Sequence, residues 1–222
     1  MTEVKAIIHD WDDTITNAYE IYSQFYFDLG NHFNLEAPLQ ENIKNSWGHT
    51  VNKIVNDQWP HLSREETQGM IDKLIEIKKT REPYKIRVFP GITDAFKKLS
   101  KKFTLGILSS GHSFEIERIY REKIHPEIAY HKFIFAPPEL TVHKPDPAVF
   151  DPVFKQLQEH NITEAETIYV GDNLNDYHAA KNRGLTFYAV TTGVTPREDF
   201  KKEGVGEKYI LKDFVAFAKS ML

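Results

Sequence analysis

Cysteine is missing altogether from the 222 residues, so disulfides, thiolate metal centres and a cysteine nucleophile are excluded by composition. Long hydrophobic runs are missing too: no stretch approaches the roughly 18 consecutive apolar residues that a membrane-spanning helix needs. The opening MTEVKAIIHDWDD has too short an apolar run, and too much acid, for a signal peptide, so a cytoplasmic protein without a membrane partner is expected. Nor is there a basic excess. Lys and Arg number 28 against 32 Asp and Glu, a formal charge of -4, which argues against nucleic acid as the main partner. What is present is core material: 41% hydrophobic and 13% aromatic residues, in a length that fits one α/β domain or a core carrying a smaller insert.

The pattern along the chain is strand and helix in alternation, with one interruption. Val4 to His9 is a short apolar run ending in acid and reads as a buried strand. From Thr16 to about Tyr84 helix follows helix. Ile21, Tyr22, Phe25, Tyr26, Leu29 and Phe33 recur at helical spacing, and Ser63 with Glu66 forms a capping box ahead of Met70, Ile71, Leu74 and Ile77. Alternation resumes after Pro90-Gly91, with strands expected over 103–109, 132–135, 166–170, 185–190 and 208–211. Helices are expected between them over 92–101, 113–123, 173–183 and 213–221. Asp146-Pro147 reads as a helix start, and Pro152 splits that segment into a single turn and then a helix to His160. The fold expected is α/β: a doubly wound, Rossmann-like parallel sheet core (1–15 and 85–222) with an inserted all-helical cap domain (16–84).

In such a sheet ligands bind beyond the carboxyl ends of the strands, and polar residues stand at those ends. Asp10 and Asp12 follow the first strand and share a side, while Asp13 points elsewhere. Two adjacent carboxylates repel unless a cation relieves them, and oxygen ligands suit Mg²⁺. The pair also offers a nucleophile and a proton donor. Ser109-Ser110-Gly111 follows a second apolar run, where a hydroxyl and backbone N–H groups make an anion site. Lys144 is set between His143 and Pro145. Gly171-Asp172 ends another strand, with Asp176 four residues on. Taken singly, each has a plainer use: the serines and Asp172 as helix caps, Lys144 as a solvated surface residue.

As an ordered set, Asp10-x-Asp12-x-Thr14, Ser109, Lys144-Pro145 and Gly171-Asp172-x-x-x-Asp176 resemble the haloacid dehalogenase-like hydrolase superfamily over nearly the whole chain. Phe89-Pro90-Gly91 and Lys144-Pro145-Asp146-Pro147-x-x-Phe150 are similar to its phosphoglycolate-phosphatase-like branch with a helical cap. The resemblance implies a Mg²⁺-dependent phosphatase acting on a small phosphorylated metabolite. Asp10 would attack phosphorus, and Asp12 would serve as acid and then base. Ser109, Ser110 and Lys144 would hold the phosphoryl group. Asp10, the carbonyl of Asp12, Asp172 and Asp176 would hold the metal, Asp176 directly or through water. Trp47-Gly48-His49-Thr50 resembles the branch's substrate loop, which places His49 and Thr50, with Asn17 and Tyr19, near the leaving group; their other use is cap packing. Tyr22, Phe25 and Tyr26 read as cap core.

Two positions depart from the family pattern. Asp13 stands where a glycine is usual and is expected to contribute mainly backbone. His9 stands where an apolar residue is usual, as a satisfied buried histidine or a pH-sensitive neighbour of Asp10. Two alternatives stay open. A sugar phosphomutase uses the same acid pair. A phospho-aspartate signalling switch without turnover uses similar residue types, but lacks the Asp-x-Asp and the helical insert.

Overall fold

The short apolar runs do become parallel strands. In the computed structural model, which describes residues 3–80 and 86–222, β1 (Ala6–His9), β2 (Thr104–Leu108), β3 (Phe133–Phe135), β4 (Thr167–Gly171), β5 (Thr186–Val190) and β6 (Ile210–Leu211) form one sheet. Its order is β3-β2-β1-β4-β5-β6, and every neighbouring pair is parallel. Between β1 and β2 the chain makes α1 (Ala18–His32), α2 (Gln40–Ser46), α3 (Val51–Gln58), α4 (Arg64–Thr80) and α5 (Ile92–Leu99). Then come α6 (Ser113–Lys123), α7 (Asp151–Gln158), α8 (Leu174–Arg183), α9 (Arg197–Lys202) and α10 (Phe214–Met221).

Central strand β1 shows why the sheet is covered on both sides. Successive side chains of a strand face opposite ways. Ile7 packs into one apolar cluster with Phe96 of α5, Ile116 of α6 and Phe214 of α10. Ala6 and Ile8 pack into a second with Val153 and Phe154 of α7 and Ala179 of α8. This is the doubly wound arrangement. The first cluster continues without a break into α1–α4 through Tyr22, Phe25, Ile54 and Met70.

The way into the helical segment and the way out lie side by side. Thr16 bridges Val88 in antiparallel fashion. The Asn17 N–H donates to Arg87 O at 3.0 Å, the Arg87 N–H donates to Asn17 Oδ1 at 2.7 Å, and the Phe89 N–H donates to Ile15 O at 2.9 Å. Asn17 is thereby engaged in this junction and is not among the residues that line the cleft described below. The expected boundary at 84/85 lies outside the described residues.

Local expectations hold in most places. Ser63 and Glu66 make the capping box, with the Ser63 N–H donating to Glu66 Oε2 at 2.8 Å. Pro147–Phe150 is a 3₁₀ turn capped by Asp146, whose Oδ1 accepts from the Ala148 N–H at 2.8 Å. Pro152 opens α7, where a missing N–H breaks no helical bond. The sequence pattern does not reveal α9, which is short and buries only Phe200, too little for a periodic signal.

Candidate active site

Sheet register decides which polar residues meet. His9 pairs with Ile107 on one side and Val170 on the other, so the residues just beyond the strand ends are Asp10, Ser109 and Asp172. The Asp10 N–H still donates to Val170 O at 2.9 Å, and the Ser109 N–H to Phe135 O at 3.0 Å, so both are held by the last rungs of the ladder. The strand order reverses direction at β1, the position where open α/β sheets place their ligands.

Lys144 arrives from the loop after β3 and is buried among acids. Its Nζ donates to Asp10 Oδ1 at 2.9 Å, to Asp176 Oδ1 at 2.6 Å and to the Tyr169 hydroxyl at 3.2 Å. Burial opposes the ammonium charge, but Asp10 and Asp176 outweigh it and raise the Lys144 pKa. The other Asp176 oxygen accepts from the Asn173 N–H at 3.1 Å, closing a capping box in which Asn173 is the N-cap of α8. Capping therefore falls to Asn173, which leaves Asp172 free of it. Thr14 donates to Asp172 Oδ1 at 2.7 Å, and a Cβ on Gly193 would stand 1.9 Å from Asp172 Oδ2, so only a hydrogen fits behind it.

One ammonium does not balance these acids. Oxygens of Asp10, Asp172 and Asp176 lie within 4.8 Å of one another, all buried. Burial pushes Asp10 up to about 6 against the pull of Lys144. Asp172 is driven well above the carboxylate range by burial, then by Asp13, Asp176 and Asp10. A compact, all-oxygen, charge-deficient pocket is what a small hard dication satisfies.

Asp12 and Asp13 part company as the alternation predicts. Asp12 faces the cleft close to Gly111, where an added Cβ would meet Asp12 Oδ2 at 2.6 Å. Burial pushes its carboxyl up to about 8, with Lys78 working against the shift. Asp13 corrects an expectation: its side chain does more than its backbone. It sits at φ 58°, in the left-handed region that explains the usual glycine and that aspartate tolerates. Its carboxylate accepts from the Tyr19 N–H at 3.0 Å and from Trp47 Nε1 at 2.6 Å.

The loop between α2 and α3 is thus fastened to the sheet side at several points. Besides Trp47 to Asp13, Asn173 Nδ2 donates to Trp47 O at 3.0 Å, and Ser110 Oγ donates to Gly48 O at 3.4 Å. Gly48, at φ 88°, leaves no room for a Cβ, which would lie 2.8 Å from Asn173 Cγ. His49 lines the cleft, together with Asp10, Asp12, Ser109, Ser110 and Lys144. Thr50 does not: it is the N-cap of α3, accepting from the Lys53 N–H at 3.3 Å. Tyr19 packs edge-on to Trp47 and accepts from Gln40.

Three contributors are not evident from the sequence. Lys78 of α4, Tyr22 and Tyr26 also line the cleft, the tyrosines in addition to being core of the helical segment. The signal for Lys78 is there in retrospect. It continues the buried face of Ile71 and Leu74 at helical spacing, a lysine where the period calls for an apolar residue.

His9 resolves as the satisfied histidine. It is fully buried, stacked on Phe96, and its Nδ1 lies 2.6 Å from Asp10 O, with Nε2 2.7 Å from His131 Nε2. His131 Nδ1 in turn lies 2.8 Å from the Tyr120 hydroxyl. A carbonyl only accepts, so His9 carries its proton on Nδ1, His131 on Nε2, and Tyr120 donates. Burial holds His9 down at about 4.

Comparison with known proteins agrees with this geometry. The sequence pattern of the family described as "Haloacid dehalogenase-like hydrolase" matches residues 7–190. The Clostridium perfringens protein named "Putative pyrophosphatase PpaX" is 26% identical over 197 residues, covering 88% of this chain and 87% of that protein. Among solved structures, a haloacid dehalogenase-like family hydrolase from Streptococcus pneumoniae superposes with a TM-score of 0.80 at 19% identity, covering 100% of both chains. A structure described as a predicted phosphoglycolate phosphatase from Haemophilus somnus gives 0.81 at 17% identity, also with 100% coverage of both.

Proposed function

The chain belongs to the haloacid dehalogenase-like hydrolase family, and on that premise we propose that it is a Mg²⁺-dependent phosphomonoester hydrolase that works on a small phosphorylated metabolite through an aspartyl-phosphate on Asp10. The observation that carries this reading is the pairing of Asp10 with Lys144 at 2.9 Å beside a second acid, Asp12, held up at about 8. One carboxylate is positioned to attack and the other keeps a proton to give.

In this mechanism an Asp10 oxygen bonds to phosphorus as the bond to the leaving oxygen breaks. Asp12 donates its proton to that oxygen, and the product alcohol departs. Asp12, now a carboxylate, takes a proton from a water that attacks the aspartyl-phosphate, and the carboxylate of Asp10 is released with inorganic phosphate. The Ser109 hydroxyl and the backbone N–H of Ser110 hold phosphoryl oxygens, and Lys144 offsets their charge as well as that of Asp10. Bound Mg²⁺, held by Asp10, the Asp12 carbonyl, Asp172 and Asp176, would supply the further positive charge that the phosphoryl oxygens and the acids need. Two relatives, a pyrophosphatase and a phosphoglycolate phosphatase by name, support phosphoryl chemistry on small molecules. Helices α1–α4 serve as the cap, with His49 reaching the leaving group.

A phosphomonoester panel with Mg²⁺ tests this. Wild-type protein is expected to release phosphate over many turnovers and to stop in EDTA. Asp10→Asn is expected to be inactive, and Asp12→Asn to accumulate a detectable phosphoenzyme. Retained turnover by Asp10→Asn sinks the mechanism.

A further inference from the structure

A second ammonium lines the cleft. Lys78 Nζ, brought in by α4, donates to Glu115 Oε2 of α6 at 3.0 Å and lies 4.0 Å from the centre of the Tyr22 ring. The Tyr22 hydroxyl donates to the other Glu115 oxygen at 2.9 Å, and Arg118 Nη2 donates to Lys78 O at 3.3 Å. The side chains of Lys78 and Glu115 are only 7% and 5% exposed.

Stability does not account for such a pair. A buried ion pair roughly repays its desolvation, and a well-packed apolar pair of the same size does as well or better. The placement is more telling. Lys78 lines the cleft, whereas Glu115 stands behind it and does not. Glu115 and Tyr22 therefore fix the ammonium in position while its remaining donor capacity faces the space where a ligand would sit.

Lys144 is engaged with Asp10 and Asp176 at the nucleophile end. Asp12 lines the same cleft as Lys78, and the charges of both Lys78 and Glu115 act on its carboxyl. Lys144 already serves Asp10 and Asp176, so Lys78, in the same cleft, is left for a part of the substrate other than the group at the nucleophile. The whole cleft, nucleophile end included, offers about 50 Å³, which favours a small substrate over a nucleotide.

We propose that Lys78 is a specificity-determining residue that binds an anionic oxygen group on the leaving group, either a carboxylate or a second phosphoryl. The inference rests on the phosphatase reading and narrows its substrate class. Recognition of charge by a preset, desolvated ammonium discriminates strongly, because a neutral analogue leaves the donor unpaired.

The test compares three substrates with Mg²⁺: phosphoglycolate for the carboxylate, pyrophosphate for the second phosphoryl, and 2-hydroxyethyl phosphate as the neutral analogue. Wild-type kcat/KM is expected to favour at least one anionic substrate by roughly tenfold or more. Lys78→Met is expected to erase most of that ratio, and Lys78→Arg to keep it. A wild-type ratio near one overturns the inference whether or not any variant folds. So does a Lys78→Met enzyme that slows all three substrates by the same factor. If the wild type turns over none of the three but hydrolyses other phosphomonoesters of the panel, the inference fails and the phosphatase reading stands; if it hydrolyses no phosphomonoester, both fail.

Discussion

The indole N–H of Trp47 donates to the Asp13 carboxylate at 2.6 Å, tying the loop between α2 and α3 to the residue that directly follows the acid pair. The placement of the loop between α2 and α3 is therefore coupled to the turn that follows Asp10 and Asp12. A glycine at this position would make the turn but could not make the tie.

Substitutions at Asp13 separate the two roles. Asn keeps an acceptor and tolerates the left-handed conformation, Gly keeps only the conformation, and Ala keeps neither. Stability is expected to fall in the order Asn, Gly, Ala, with Ala below Gly by about 1 kcal/mol in urea unfolding. KM should rise for Gly and Ala alike, since both lose the Trp47 bond. An Asp13→Ala protein equal to wild type in both measurements would refute the coupling.

Gly193 offers a cleaner probe of the metal reading. A methyl there must push Asp172 away, because the Cβ would lie 1.9 Å from its Oδ2. Gly193→Ala is expected to need at least about tenfold more Mg²⁺ for half-maximal activity, while its far-ultraviolet circular dichroism is retained. An unchanged Mg²⁺ requirement would remove Asp172 from the ligand set.

Stabilisation by Mg²⁺ should depend on pH. Asp10 is held up at about 6 and Asp172 well above its ordinary value, in both cases chiefly by burial. An acid whose folded pKa is raised holds its proton more tightly when folded. Its contribution to stability is present at low pH and is lost as pH rises through the raised value. A dication relieves the charged form and must displace the proton from the neutral one. The gain in Tm on adding Mg²⁺ is expected to be larger at pH 8 than at pH 5, and calorimetry at the two values decides it.

His9 works in the opposite sense. Its folded pKa, about 4, lies below the unfolded value, so its contribution is complete above about 6.5 and is lost as pH falls from there through 4. The full shift corresponds to roughly 3 kcal/mol. Carboxylates complicate the raw profile, but they are common to wild type and His9→Leu. The stability difference between the two proteins should therefore shrink on going from pH 7 to pH 4.5, and a constant difference would contradict the assignment.

Much of this site is legible in the sequence, because each strand end announces itself by an apolar run that stops at a polar residue. Asp10, Ser109 and Asp172 are found that way, and register then brings them together. The helical segment announces itself by its period and by the Ser63–Glu66 box. Contacts between distant elements are what the sequence leaves out. Period tells that Lys78 shares a face with Leu74, but not that this face meets Glu115 of α6. Asn173 and Trp47 are 126 positions apart, and nothing local in either predicts their bond. Asp13 reads as a substitute for glycine because its conformation is local, while its partner is not.

The Thr16–Val88 bridge has a topological consequence. Since the chain leaves the sheet layer and returns to it at adjacent points, everything between could be excised and replaced by a tight turn with almost no loop-closure cost. The same junction is a graft point: another helical insert with neighbouring ends could be spliced there, giving the chemistry of the strand ends a different doorway.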